Sequence, residues 1–342
     1  MKVTGLVVPH PNVRYRQSLM TLTRVEVQMA LDALGRETRV TEKTLGGKPA
    51  VCFEVDRLTR RDWRMLSQVA GVYLYFEEKG EGLQPVEDLH PAYIGEDLPA
   101  LLKYKGKTNE VFTDALITMA LSQSSFASIH DGQLTVLDPL CGKGTTLYLA
   151  LRRGYHGIGI ELSRSDVREA SEYLTRYLEF HRIKHKKQDF SLTAGGRAAG
   201  KETRWILSDS AEHYRDGDTR TLRMIQGDTR DCGKMLRSAS AHLLVTDLPY
   251  GVQKGTSGRD AGILQTVEQA LPGWTNVLME GGGLAISFNT HVTRRQALEQ
   301  LLVRHGYRIA MPPESCEHWV EQAITRDVVL ARLDRKGSAH AE

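Results

Sequence analysis

Four carboxylates at turn positions carry most of the chemistry available to this sequence. Asp138 opens Asp138-Pro139-Leu140-Cys141-Gly142-Lys143-Gly144-Thr145, and Glu161 follows Gly157-Ile158-Gly159-Ile160. Asp228 follows Gly227, and Asp247 opens Asp247-Leu248-Pro249-Tyr250. Without a Cβ at Gly142 and Gly144, a ligand can approach the main chain while N–H groups and a helix N-terminus face it. Glu161, about 20 residues further on, has the spacing of a carboxylate that takes both hydroxyls of a ribose. The expected ligand is a nucleoside with a tail.

Asp138 bears on which nucleoside. It would repel a pyrophosphate, and the third glycine of a G-x-G-x-x-G dinucleotide turn is absent. A carboxylate holds a cationic amino group instead, directly or through water. S-adenosylmethionine has an ammonium and a sulfonium and no phosphate, so it is the favoured ligand. A dinucleotide or other nucleotide, and plain turn glycines, are the alternatives.

These residues need a scaffold of parallel strands. Val136 and Leu137 read as a strand, Thr145 to Arg153 as a helix stopped by Gly154, and the stretch into Glu161 as a second strand. That is one βαβ unit of a doubly wound sheet. Arg164 to Phe180 reads as the next helix, Leu222 to Gln226 as the third strand, and Ala241 to Thr246 as the fourth. Gly281-Gly282-Gly283 reads as a turn into a fifth strand at Leu284 to Phe288, Arg294 to His305 as an amphipathic helix, and Tyr307 to Ala310 with Asp327 to Leu333 as a closing antiparallel pair.

At the Asp247 turn the chemistry becomes specific. An exocyclic amine on a purine or cytosine is a poor nucleophile, because its lone pair is delocalised into the ring. Two acceptors on its hydrogens, the Asp247 carboxylate and a backbone carbonyl of Leu248 or Pro249, favour a pyramidal nitrogen with an available lone pair. Pro249 stiffens the turn, and Tyr250 offers a ring on which a flipped-out base stacks.

With D-x-x-x-G-x-G and D-L-P-Y both present, the chain over about 95 to 335 resembles the class I S-adenosylmethionine-dependent amino-methyltransferases. Within them it is similar to the group of the tRNA guanine-N2 methyltransferases and their THUMP-domain relatives, which carry D-P-P-Y, D-L-P-F or N-L-P-Y there. The family's cofactor positions fall on Asp138, Gly142, Gly144, Glu161 and Asp228, where Asp228 would receive the adenine amino group. Their neighbours Pro139, Cys141, Thr145, Leu162 and Thr229, with Asn109 from the preceding segment, complete the expected cofactor set. The catalytic positions are Asp247, Leu248, Pro249 and Tyr250. Leu248 in place of a second proline tilts the reading to guanine N2 over adenine N6. The resemblance implies a Rossmann-like sheet, S-adenosylmethionine as cofactor, and RNA, tRNA above all, as substrate.

Each of these residues also has a plainer reading. Cys141 fits as a small turn residue, Asp228 as a turn former or cap, and Thr108 or Asn109 as the N-cap of a helix over Val111 to Leu121. In Lys103-Tyr-Lys-Gly-Lys-Thr-Asn109 the candidates for polar contact to cofactor or substrate are Lys105, Thr108 and Asn109. His318, Trp319 and Arg326 either border a substrate mouth or pack.

Residues 1–90 read as a separate α+β unit in the order β-α-β-α-β, and 91–342 as the methyltransferase domain. Arg57, Arg60, Arg61 and Arg64 around Trp63 suit either a phosphate grip with a stacking ring or a solvated helix face. A basic insertion at about 181–221, opened by HRIKHKK, reads as a long polar segment. Its Arg182, Lys184, Lys186 and Lys187 are the candidate substrate contacts.

At 342 residues and net charge +3, the chain exceeds one small domain and permits a nucleic-acid partner without demanding it. Four scattered cysteines make neither a zinc ribbon nor a disulfide framework. No apolar run of about 18 residues and no signal-peptide pattern is present, so a cytoplasmic protein with no membrane partner is expected. Two other functions stay open: adenine-N6 methylation of DNA or RNA, and a non-catalytic nucleic-acid-binding protein of similar fold.

Overall fold

A computed structural model of the chain describes residues 1–10, 13–104, 106–128, 134–194, 196–249, 260–321 and 323–335. The N-terminal stretch forms β1 (Lys2–Val7), α1 (Val13–Ala33), β2 (Thr41–Leu45), β3 (Lys48–Glu54), α2 (Arg60–Leu66), β4 (Val72–Lys79) and β5 (Gly82–Pro85). These strands make an antiparallel sheet in the order β2-β3-β1-β4-β5. The expected series is present with β2 and β5 added at its two edges. Their sequences, TEKTL and GLQP, lack the apolar alternation that marks a half-buried strand. Gly46 and Gly47, both at positive φ, make the two-residue turn that folds β2 onto β3.

Helix α2 starts at a capping box in which Thr59 and Asp62 satisfy each other's backbone N–H groups. Trp63 within it is buried edge-on against Tyr75, at 5.9 Å between ring centres. Its ring therefore packs in the core and offers no platform for a base, while Arg57, Arg60 and Arg61 face solvent.

The remainder forms α3 (Leu98–Leu101), α4 (Glu110–Gln123), β6 (Thr135–Asp138), α5 (Thr145–Arg152), β7 (His156–Glu161), α6 (Arg164–Phe180), β8 (His185–Ala194), β9 (Arg197–Leu207), α7 (Ala211–Arg215) and β10 (Arg220–Gly227). It continues with α8 (Cys232–Met235), β11 (Ala241–Asp247), α9 (Asp260–Val277), β12 (Leu278–Asn289), α10 (Arg295–Arg304), β13 (Tyr307–Ala310), β14 (His318–Glu321) and β15 (Ile324–Leu333). The larger sheet runs β13-β15-β12-β11-β6-β7-β10-β9-β8, with β14 paired to β15. Strands β12, β11, β6, β7 and β10 are parallel, and β15 is antiparallel to both β12 and β13. This is a Rossmann-like, doubly wound sheet with the expected antiparallel closure. Its order reverses between β6 and β11, and ligands bind beyond the carboxyl ends of such strands.

Two expectations change here. The insertion is no long polar loop: β8 and β9 form a hairpin that extends the sheet past β10. The glycines Gly281 to Gly283 lie within β12, which begins at Leu278, at a break in its register: Ala241 pairs with Leu278 and Leu243 with Gly283, and Gly281 turns at φ 76° before continuous pairing begins at Gly283. Gly283 sits where α4 lies on the sheet, and a Cβ there would fall 1.9 Å from the Ala120 carbonyl oxygen.

Helix α4, buried from Phe112 to Ser122, also packs against α1, so one apolar core runs from the smaller sheet into the larger. A buried polar network crosses the same junction. The Arg153 guanidinium donates to Asp114 Oδ1 at 2.6 Å, to Thr118 Oγ1 at 2.8 Å and to the Gln68 carbonyl at 2.8 Å. A guanidinium taken fully out of water is tolerable only with such partners.

Candidate active site at the switch point

Strand β6 ends at Asp138, and the chain turns through Gly142 (φ 52°) and Gly144 (φ 88°) into α5. Both glycines occupy the left-handed region that favours this residue. A Cβ on Gly144 would lie 3.1 Å from Met224 Cε and from Tyr148 Cζ, whereas one on Gly142 would meet nothing within 4 Å. The turn is thus packed from below at Gly144 and open above Gly142. Gly144 caps α5 without a side chain, which leaves the first N–H groups of the helix to whatever fills the turn.

Glu161, at the end of β7, braces that turn. Its Oε2 accepts from Gly142 N at 3.0 Å and its Oε1 from Ser163 N at 2.7 Å. Each carboxylate oxygen has a second lone pair, so two hydroxyls can still be received. Next to it Leu162 is 67% exposed, an apolar side chain left open at the rim. Pro139 and Cys141 are buried, and the Cys141 thiol packs where a Cβ on Gly159 would fall, in agreement with a small turn residue. Burial pushes that thiol well above its usual range, so it is no thiolate nucleophile.

Asp138 is buried, and its Oδ1 accepts from Thr246 Oγ1 at 2.8 Å and from Leu140 N at 3.2 Å. Burial raises its carboxyl to about 6 despite those donors, and the charge of Asp247 adds to the rise. Thr246 is the residue before Asp247, so the ends of β6 and β11 are tied side by side.

Asp247 Oδ2 accepts from Thr108 Oγ1 at 2.5 Å and lies 3.6 Å from Arg326 Nη2. Leu248 is buried and donates its N–H to the Ser287 carbonyl at 2.8 Å, which fixes the start of the turn, and Pro249 is exposed. Tyr250 and Lys105 lie outside the described residues. The segment before α4 touches both halves of the site, since Tyr104 OH lies 3.1 Å from Thr145 Oγ1 and Thr108 reaches Asp247. Asn109 serves as the N-cap of α4, accepting from Val111 N at 2.9 Å and Phe112 N at 3.2 Å, and its amide nitrogen lies 3.1 Å from His10 Nε2.

Asp228 follows β10 and is held by Arg230 through contacts of 2.5 to 3.0 Å, which lower its carboxyl below the usual range. An incoming amino group would have to share that carboxylate. Thr229 is buried and accepts from Trp274 Nε1 at 2.8 Å.

Arg182, Lys184, Lys186 and Lys187 are not brought to this cleft. In register, His185 meets Leu207, and Leu207 meets Arg220 at the start of β10, whereas the cleft lies beyond the ends of the parallel strands. Strand rise and spacing put the four basic residues on the order of 20 Å or more from Asp138.

Thr108, one of the polar candidates of the segment before α4, reaches Asp247. Sequence reading passes over Phe112 as part of a helix and leaves Arg326 and His318 as either bordering a substrate mouth or packing. Arg326 stacks 4.8 Å over the Phe112 ring, and His318 packs on the same ring at 5.0 Å. Burial lowers His318 below the ordinary histidine value.

No protein-family model matches the chain, and no curated protein matches it. Among solved structures it is similar to TrmN from Thermus thermophilus, at 12% identity over 97% of this chain and 99% of that one, with a TM-score of 0.45. It is also similar to the rRNA methyltransferase aviRa from Streptomyces viridochromogenes, at 18% identity over 72% of this chain and 95% of that one, with a TM-score of 0.39. A third is a TehB-like SAM-dependent methyltransferase from Corynebacterium glutamicum, at 14% identity over 59% of this chain and 80% of that one, with a TM-score of 0.33. The fold assignment rests on the strand order: the chain is a Rossmann-like α/β protein with a small antiparallel sheet at its N-terminal end.

Proposed function

We propose that the chain is an S-adenosylmethionine-dependent methyltransferase acting on an exocyclic base amine of RNA, with guanine N2 in tRNA as the favoured target. One observation carries the reading. Two carboxylates of different environment, Asp138 and Asp247, end adjacent parallel strands at the switch point and are coupled through the Thr246 hydroxyl. The donor set fits the cofactor: an open glycine turn, a buried carboxylate for an ammonium, a carboxylate with lone pairs left for ribose hydroxyls, and exposed Leu162 for an adenine face.

When bound there, the cofactor would supply an electrophilic methyl group for the amine, with the electron pair of the broken carbon–sulfur bond left on sulfur. Asp138 would anchor the ammonium, Glu161 the ribose and Asp228 the adenine edge. Asp247 accepts from the substrate amine, orients its lone pair and takes the proton that nitrogen loses. Most of the acceleration comes from orientation and electrostatics, so no strong base is required. The preference for guanine N2 rests on the D-L-P-Y tetrapeptide, and a cytoplasmic setting follows from that substrate. Among the described residues no helix is long and apolar enough to cross a membrane. We assign the recognition of RNA by residues 1–90 and by the basic face at Arg182, Lys184, Lys186 and Lys187 to surfaces apart from the cleft.

Transfer of labelled methyl from S-adenosylmethionine to RNA tests the reading. Transfer by the native chain and its loss in Asp247→Ala, with cofactor affinity kept, supports it. Cofactor binding without transfer to any RNA or DNA would favour the non-catalytic alternative.

A further inference from the structure

Arg326 reaches the Asp247 turn from a strand outside both motifs. It lies on β15, separated from β11 by β12: Asp247 pairs with Ser287, and Asn289, two residues on, pairs with Arg326. The guanidinium is 4% exposed. A buried cation demands a counter-charge. The carboxylate next along its own strand, Asp327, turns to Arg295 at 2.8 and 2.9 Å. Asp247 stands on the other side, with Oδ2 3.6 Å from Arg326 Nη2. Thr108 completes a triangle, donating to that same Oδ2 at 2.5 Å while Arg326 Nη2 lies 3.4 Å from its hydroxyl. Phe112, under the guanidinium at 4.8 Å, limits where the cation can move.

We infer that Arg326 and Thr108 are positioning residues that engage Oδ2 of Asp247 together and fix the rotation of the carboxylate that the substrate amine meets. The inference rests on the reading above that Asp247 receives that amine. A carboxylate free to rotate would meet the N–H at varying angles, and misorientation of this kind costs up to about a hundredfold in rate. Both residues act through Asp247 and do not touch the reacting atoms.

A double-mutant cycle tests this on the full-length chain, with an RNA that the native protein methylates. Arg326→Met is expected to lower kcat roughly tenfold to a hundredfold, with the Kd for S-adenosylmethionine changed less than about twofold. In an Asp247→Asn background, the same substitution is expected to change kcat less than about twofold. Thr108→Val is expected to follow Arg326→Met, and Thr108→Ser to restore most of the rate. Equal losses from Arg326→Met in both backgrounds, a native kcat in Arg326→Met, or no rescue by Thr108→Ser would overturn the inference. If Arg326→Met does not fold, the Thr108 pair in the two backgrounds decides by the same criteria. Absence of transfer by the native chain would instead overturn the reading beneath it.

Discussion

The hydroxyl of Thr246 donates to Asp138 across 2.8 Å, one residue before Asp247. The carboxylate proposed for the cofactor and the one proposed for the substrate are therefore mechanically and electrostatically linked. Thr246→Val keeps the shape and removes the donor, leaving a buried carboxylate short of one hydrogen bond. Bonds to charged groups contribute about 1.5–3 kcal/mol, so S-adenosylmethionine is expected to bind roughly tenfold to a hundredfold more weakly. Calorimetric titration of the variant checks this, and unchanged affinity would separate Asp138 from the cofactor.

Cofactor affinity is expected to depend on pH through Asp138, whose carboxyl burial raises to about 6. Below that value the neutral acid no longer pairs with an ammonium. Affinity should rise from pH 5 to about 7 and then level off. Titrations across that range in native protein and Asp138→Asn measure it, the variant being expected to bind weakly and with a flat profile.

Glu26 sets an opposite trend in stability. It is fully buried on α1, accepts from Ala70 N at 2.7 Å and Gly71 N at 3.1 Å, and is raised by burial from about 4.5 to about 7. The folded state holds a proton that the unfolded state releases. The stability this confers is complete below about pH 4.5 and is lost as pH rises through 7. Between pH 5.5 and 7.5 Glu26 alone contributes a loss of about 2 kcal/mol, with a smaller contribution of the same sign from Asp138 and an opposing one from His90, which burial lowers to about 4. Urea unfolding of the native protein and of Glu26→Gln at the two values isolates it: the stability of the native chain relative to the variant should fall by about 2 kcal/mol between pH 5.5 and 7.5.

The junction between the sheets is expected to fail at Arg153. Arg153→Met leaves Asp114 buried with one cation fewer, deprives the Thr118 hydroxyl of its donor and leaves the Gln68 carbonyl with Thr118 alone. Breaking a buried pair from one side costs about 3–5 kcal/mol. Denaturant unfolding measures the cost, and a loss under 1 kcal/mol would show that the apolar contact of α1 with α4 suffices.

What was legible in the sequence lay in turns. Asp138, Gly142, Gly144, Glu161 and Asp247 are close in sequence to strands whose apolar character marks them, and a parallel sheet brings such ends together without further information. For Arg326 the sequence left a substrate mouth and plain packing both open, because its approach to Asp247 depends on β15 entering antiparallel beside β12. The hairpin of β8 and β9 was hidden by composition. Its edge strand opens on the charged and polar run His185 to Asp189, and it is anchored from the partner strand by buried Trp205, with Lys187 5.6 Å over that ring. The basic residues of HRIKHKK drew attention as a binding loop, yet the register sets them at the opposite end of the sheet from the cleft.

The central claim is that Asp247 presents a base amine to a methyl donor held by Asp138. Its most direct test is mass spectrometry of nucleosides from RNA incubated with the protein and isotopically labelled S-adenosylmethionine. The expected result is label on an exocyclic amine, N2-methylguanosine first, and none from Asp247→Ala. Label on a ribose hydroxyl, a ring nitrogen or a ring carbon, or full labelling by the variant, would contradict the account.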